Sequence, residues 1–241
     1  SMYQVSRSLG LIWSDLWKEP FFRIGVAFKL VLIIFLVPTI QQEWFVPFIV
    51  NWLENPTSLP WSGYLESGGD FLAFPYGPVM FLYYLPTTAL GWIIDYLFGI
   101  QYFASFGFRI SLFFADMLLL MVLLQTFEDY WKKILIYYWL SPIVLFVTYW
   151  HGQIDLIPVT LFICALALLK TGKFRISGLL LASAIAAKHS MLIAIPFIVI
   201  YLWSHNGVHR EFQRYLVFFI GSLLMIEAPF ILFDAFRVMV I

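Results

Sequence analysis

From Ala104 to Leu124 the chain reads ASFGFRISLFFADMLLLMVLL, an apolar run that is interrupted by the charged side chains of Arg109 and Asp116. A helix of about 20 mostly apolar residues crosses the ~30 Å hydrocarbon core of a bilayer, so this stretch predicts a transmembrane helix. The rest of the 241-residue chain agrees, because 62% of its residues are hydrophobic and only 12% are charged. A soluble domain could not bury that much apolar surface. We therefore predict an all-α polytopic membrane protein.

Similar apolar runs recur along the chain. Seven crossings are predicted, at about 24–40, 104–124, 134–150, 156–169, 176–187, 190–204 and 215–233. The segment Pro78–Phe98 is also apolar, but it contains Pro86, Gly91 and Asp95. The distribution of cations decides its placement, because lysine and arginine concentrate at the cytoplasmic ends of spans.

If Pro78–Phe98 lies along the interface and the N-terminus is cytoplasmic, ten cations fall on the cytoplasmic side. They are Arg7, Lys18, Arg23, Lys132, Lys133, Lys170, Lys173, Arg175, Arg210 and Arg214. If the segment crossed, seven of them would move outside. We therefore predict a cytoplasmic interfacial segment over 1–23, a single transmembrane domain over 24–241 and a long outer loop with interfacial helices over 41–103.

Charge and cysteine content narrow the classes of partner. The formal net charge is zero, so nothing favours a nucleic-acid partner. The single cysteine, Cys164, lies inside an apolar run and excludes a disulfide framework or a cysteine-based metal site.

Polar side chains gather on the outer side of this topology, although they are far apart in sequence. Ionisable groups at membrane depth are costly, so such a cluster predicts an active site. Its members are Glu66, Asp70, Arg109, His151, Gln153, Asp155, Lys188 and His189.

Each of the central residues also has a structural interpretation. Asp70 follows Gly68-Gly69 and could cap its own turn, or it could be a carboxylate at the mouth of a cavity. Asp155 could cap the following helix, or position a substrate. Lys188 could snorkel to the interface, or bind a phosphate as a compact cation. A shared metal ion on His151 and Asp155 is a further alternative, although sites need more than two ligands.

A series of short motifs carries a resemblance to a known class. The series comprises an acidic residue in a long outer loop, Ser141-Pro142, Gly152-Gln153-Ile154-Asp155, the basic turn Lys170–Arg175, Ser177-Gly178, Lys188 and Pro196. In this order it resembles the GT-C class of integral-membrane glycosyltransferases, and is most similar to the polyprenyl-phosphate-mannose-dependent mannosyltransferases of the GPI-type and bacterial lipid-mannan branches.

The resemblance implies transfer of a sugar, with mannose expected, from a polyprenyl-phosphate donor such as dolichol phosphate to a lipid, glycan or protein acceptor. Asp70 and Asp155 would be catalytic, with Asp70 as the candidate base, although the first loop lacks the adjacent acidic pair common in the class. Lys188, His189 and Arg109 would bind the donor phosphate. Glu66, His151 and Gln153 would position substrate.

The same resemblance implies a site on the outer or lumenal face of a bacterial or archaeal plasma membrane or of the endoplasmic reticulum. It makes no cofactor certain, and a divalent metal is an alternative. Members of the class carry further spans after the seventh. Activity is therefore expected to need a partner subunit or a C-terminal half that is missing from this sequence. The rival functions are a non-catalytic subunit that binds the lipid carrier, and a transporter or flippase that uses Lys29 and Asp116.

Overall fold

The computed structural model describes residues 9–206 and 210–241, and over these residues the protein contains helices and no strand. Helices of all types make up 82% of the structure, which confirms the predicted all-α membrane class. The α-helices are α1 (Leu9–Leu16), α2 (Pro20–Phe35), α3 (Val46–Glu54), α4 (Pro60–Glu66), α5 (Pro78–Phe98), α6 (Phe103–Thr126), α7 (Trp131–Ile134), α8 (Pro142–Val144), α9 (Leu156–Lys170), α10 (Phe174–Ala187), α11 (Ile195–Asn206), α12 (Arg210–Ile231) and α13 (Asp234–Val240).

Helix length separates clear membrane spans from shorter apolar helices. Within the described ranges, Phe103–Thr126 and Glu211–Ile231 are long and apolar enough to cross a bilayer alone. Glu128–Trp139 and Pro142–Trp150 would form a third span if they cross together. Three further apolar helices, Leu156–Lys170, Phe174–Ala187 and His189–Ser204, are shorter, so the count of seven crossings stays a prediction. The start of the predicted interfacial segment, including Arg7, lies outside the described residues.

The predicted span 134–150 is bent rather than continuous. Its two halves meet at an angle of 41° around Leu140–Ser141, and each contains a π-helical turn, Leu135–Trp139 and Leu145–Trp150. Pro142 explains the break, because proline disfavours helical backbone at the residue before it. Ser141 accordingly has extended backbone (ψ 123°), and its hydroxyl accepts a hydrogen bond from the Val144 amide.

The segment Pro78–Phe98, predicted to lie along the membrane interface, is helical over its whole length. It forms α5, which turns at Gly99 and packs antiparallel on α6. Gly91 touches the backbone of Phe103, Gly107 touches the backbone of Thr87, and the Tyr83 hydroxyl donates to the Ser111 carbonyl at 2.7 Å. Because these contacts follow both helices in register, α5 lies alongside α6 and runs in the opposite direction. The glycines permit this approach, since a side chain on either would collide with the opposite backbone.

A buried polar cluster joins α2, α6 and the bent span. The Lys29 ammonium and the Asp116 carboxylate lie 2.5 Å apart, and both side chains are fully buried. The hydroxyls of Tyr138 and Tyr149 donate to the same carboxylate at 2.6 and 2.5 Å. From its mid-span position Asp116 could pair with Lys29 or a tyrosine, or face a water-filled cavity, and the structure shows the pairing. Neighbouring charges and donors thus compensate this carboxylate inside an apolar bundle.

Removing one partner should destabilise the bundle more than removing both charges. Lys29→Met leaves the Asp116 carboxylate buried without a counter-ion and should cost about 3–5 kcal/mol. The double variant Lys29→Met/Asp116→Asn buries no charge and keeps an amide oxygen for the tyrosines, so it should recover much of the loss. Thermal unfolding in detergent measures both. A double variant less stable than Lys29→Met would contradict the account.

Candidate active site

Asp155 is placed by a rigid segment that ends the bent span. Gly152 has a left-handed backbone (φ 86°), and its carbonyl accepts a hydrogen bond from the buried Gln41 side chain at 2.9 Å. Asp155 then stands directly before α9, but its side chain makes no capping hydrogen bond to that helix. The helix-cap interpretation of Asp155 is therefore wrong.

Lys188 meets Asp155 from the end of another helix. α10 stops at Ala187, and Lys188 takes extended backbone there. Its ammonium lies 2.6 Å from Asp155 Oδ1, with 30% of the Lys188 side chain and 38% of the Asp155 side chain exposed. The small residues Ala182, Ala184, Ala186 and Ala187 that precede it are buried, as expected for a closely packed helix. This ion pair, unlike the Lys29–Asp116 pair, is open to a ligand.

The first loop supplies a third component, Tyr76. Its hydroxyl donates to Asp155 Oδ1 at 3.2 Å and lies 3.5 Å from Gln153 Oε1, while the Lys188 ammonium sits 5.4 Å from its ring centre. Burial, reinforced by the Asp155 carboxylate, raises the pKa of Tyr76 far above its usual 10, so the phenol stays a donor.

Gly77 holds Tyr76 at this position. The Gly77 amide donates to the Ala187 carbonyl at 3.0 Å, and a Cβ at Gly77 would collide with the Ala186 carbonyl. The loop therefore seats directly on the end of α10. Sequence reasoning missed Tyr76, and the only available signal was the stiff Phe74-Pro75-Tyr76-Gly77-Pro78 segment that surrounds it.

A comparison with protein families now bears on this site. The model of glycosyltransferase family 87 matches residues 74–238, which is more than half of the 241-residue chain. The chain belongs to glycosyltransferase family 87. Comparisons with curated proteins and with solved structures find no match. Family membership supports an integral-membrane glycosyltransferase, as the resemblance implied, and the matched region includes Tyr76, Asp155 and Lys188.

Two of the predicted residues of this glycosyltransferase lie in the first loop, before the matched region. Asp70 and Glu66 are exposed. The Asp70 carboxylate accepts a hydrogen bond from the Leu72 amide at 2.8 Å, which is the turn geometry that Gly68-Gly69 allowed. Within the described residues Asp70 makes no hydrogen bond or ion pair with Asp155 or Lys188.

Arg109 and His189 also face away from the Asp155–Lys188 pair. The Arg109 guanidinium donates to the carbonyls of Ile33 and Leu36, and so ties α6 to the end of α2. The His189 ring contacts the Glu227 carboxylate and the Val240 carbonyl, each at 3.2 Å. Among the described residues, Lys188 is thus the one of the three predicted phosphate ligands that contacts Asp155.

Two further predictions concern His151 and a metal ion shared between His151 and Asp155. His151 is exposed, and its ring lies edge-on to Phe146 rather than beside Asp155. In the parts of the chain that the structure describes, no three His, Cys, Asp or Glu side chains are grouped to hold a metal ion.

The His189–Glu227 contact should make the stability of the enzyme depend on pH. The hydrogen bond that the His189 ring donates to the Glu227 carboxylate raises the pKa of His189 above 6.5, with burial opposing it. A histidine whose pKa is higher in the folded state than in the unfolded state stabilises the fold. This contribution is complete below the unfolded-state pKa and is lost as the pH rises through the folded-state pKa. The thermal midpoint should therefore fall as the pH rises from about 5 to about 8.

Glu227→Gln should remove most of that dependence, whereas Glu66→Gln, which alters an exposed carboxylate, should keep it. Thermal scans of the three proteins across the pH range make the comparison. The same slope in wild type and Glu227→Gln would contradict the assignment.

Proposed function

We propose that the protein transfers a sugar, with mannose as the first candidate, from a polyprenyl-phosphate donor to a lipid, glycan or protein acceptor on the extracytoplasmic or lumenal face. The observation that carries the proposal is the half-exposed Asp155–Lys188 ion pair at the ends of apolar helices. An ion pair with open access in such surroundings suits a ligand that is itself part anion and part hydrocarbon.

Lys188 is the proposed site of the donor phosphate. A lysine ammonium binds phosphate as a compact point charge, and Lys188 has Asp155 as its only ionic partner within the described residues. The residues that follow it expose apolar side chains, with Ile193 77% and Phe197 71% exposed. A polyprenyl tail could therefore run along this helical surface in the bilayer while its phosphate reaches Lys188.

The reaction is a single displacement at the anomeric carbon. The acceptor hydroxyl oxygen forms the new bond to that carbon, and the bond from the carbon to the phosphate oxygen breaks. The electron pair of the broken bond leaves with the polyprenyl phosphate, where Lys188 would stabilise the added charge. The hydroxyl proton passes to a carboxylate, and the anomeric centre is inverted.

Geometry favours different tasks for the two proposed aspartates. Asp155 contacts the ammonium that would hold the leaving group, so it lies on the leaving-group side of the sugar. The base in an inverting displacement acts from the opposite face. Asp155 is therefore proposed to orient Lys188, together with Tyr76, and Asp70 from the first loop is proposed to accept the proton.

The buried Lys29–Asp116 cluster argues against a transporter. Both side chains have no exposed surface, and the carboxylate already accepts from Lys29, Tyr138 and Tyr149. A substrate or proton path needs access that this cluster does not provide.

Lys188 should be needed for transfer from radiolabelled polyprenyl-phosphate-mannose to a membrane-lipid extract. Lys188→Ala should lower turnover by about 10²–10³-fold because the leaving phosphate loses its counter-charge. Lys188→Arg should retain a measurable part of the rate. Lys170→Ala, at an exposed lysine at the other end of α9, is the matched control and should transfer normally. Full activity in Lys188→Ala would refute the phosphate site.

Substitutions of Asp70 and Asp155 should change different kinetic constants in the same assay. Asp70→Asn should lose about 10²–10⁴-fold in kcat with the donor KM nearly unchanged, because a base acts only in the chemical step. Asp155→Asn should raise the donor KM as well, and Asp155→Glu should recover part of it. If Asp70→Asn turns over normally while Asp155→Asn loses kcat alone, the two roles are reversed.

A further inference from the structure

A cavity of about 610 Å³ lies between α3 and the turn that joins α5 to α6. It is separate from the Asp155–Lys188 pair, and its volume is within the range of about 300–1,000 Å³ that is usual for ligand sites. Its lining combines aromatic rings with amide and carboxylate groups. The residues that matter here are Gln42, Glu54, Trp92, Tyr96, Gln101 and Tyr102.

The wall of this cavity is built to be rigid. The Asp95 carboxylate accepts hydrogen bonds from the amides of Tyr102, Phe103 and Ala104, and so caps the start of α6. Gly99 ends α5 in the left-handed conformation (φ 65°) that favours glycine. The Tyr102 hydroxyl donates to the Ile34 carbonyl at 2.6 Å, which ties the turn to α2. The cavity is therefore preformed.

The polar groups of the lining are available to a ligand. Gln42, Glu54 and Gln101 are exposed and make no side-chain hydrogen bond or ion pair with any described residue. Trp92 and Tyr96 stack on one another, with ring centres 5.9 Å apart and planes at 29°. The site thus offers flat aromatic faces beside unused donors and acceptors.

The cavity adjoins the proposed reaction centre through a single helical turn. Within the π-helical turn Gln41–Phe45, Gln41 donates to Gly152, and Phe45 lies 5.7 Å from the Tyr76 ring. Their sequence neighbours Gln42 and Val46 line the cavity. The two sites therefore contact different faces of one helical turn, and Trp92 lies 14 residues, about 21 Å, along α5 from Pro78 at the reaction-centre end.

We propose that this cavity binds a saccharide unit of a lipid-linked acceptor. Pyranose rings present C–H faces that pack on the electron-rich faces of aromatic rings, and their hydroxyls pair with amides and carboxylates. Leu97 and Phe98, at the tip of α5 beside the cavity, are 69% and 72% exposed and would meet the lipid tail. Naming the acceptor in this way rests on the proposed function, but binding of the saccharide does not require turnover.

The test measures binding of a panel of octyl glycosides (glucoside, mannoside and galactoside) below their micelle concentrations, by saturation-transfer NMR on the full chain in amphipol. Wild type should show saturable transfer to the pyranose C–H protons of at least one member. Trp92→Ala should weaken that binding about tenfold or more. Trp203→Ala, at an exposed tryptophan on α11, is the matched control and should bind as wild type.

Two further variants keep the test decisive. Glu54→Ala removes an exposed side chain that has no hydrogen bond or ion pair within 9–206 and 210–241, and it should weaken binding even if Trp92→Ala folds poorly. Lys188→Ala should bind the glycoside normally while losing transfer. A wild-type protein that binds saccharide but transfers no sugar would refute the proposed function and leave this site standing. Absence of saturable binding for the whole panel, equal binding by wild type, Trp92→Ala and Glu54→Ala, or loss of binding in Lys188→Ala would overturn the proposal.

Discussion

A charge inside an apolar helical bundle must be compensated by groups within a few ångströms, and this constraint organises the whole structure. It is met in two different ways. Lys29 and Asp116 are fully buried, and tyrosine hydroxyls complete their hydrogen bonds. Lys188 and Asp155 form an equally short contact but keep about a third of each side chain exposed. The first pair holds helices together, whereas the second is exposed enough to meet a ligand.

The exposed pair depends on three chain segments that end at the same place. Asp155 follows the bent span, Lys188 follows α10, and Tyr76 lies in the first loop. Close backbone contact makes this possible, since Gly77 packs on the carbonyl of Ala186. The same loop begins with the turn Gln41–Phe45, which separates the pair from the cavity beside Trp92. Reaction centre and acceptor site would thus share one wall.

The sequence was sufficient for the membrane class, for the grouping of Asp155, Gln153 and Lys188, and for the pairing of Lys29 with Asp116. Each of these follows from the high cost of a charge at membrane depth. The sequence did not predict the contact partners of Arg109 and His189, because the topology assigns a residue to one side of the membrane but does not determine which groups it contacts. Tyr76 was not predicted because the chain contains many aromatic residues. Only the contact of its hydroxyl with Asp155 in the folded structure distinguishes it. The packing of α5 on α6 depends on Gly91 and Gly107, whose contacts come from the opposite helix and cannot be read from the sequence.

The central claim is that Lys188 exchanges its contact with Asp155 for the phosphate of a lipid donor. An electron cryo-microscopy structure of the wild-type protein in lipid nanodiscs, saturated with polyprenyl phosphate, tests this most directly. The account predicts phosphate density within hydrogen-bond distance of the Lys188 ammonium, with the tail on the apolar surface near Ile193 and Phe197. Phosphate bound elsewhere, with the Asp155–Lys188 pair unchanged, would contradict it.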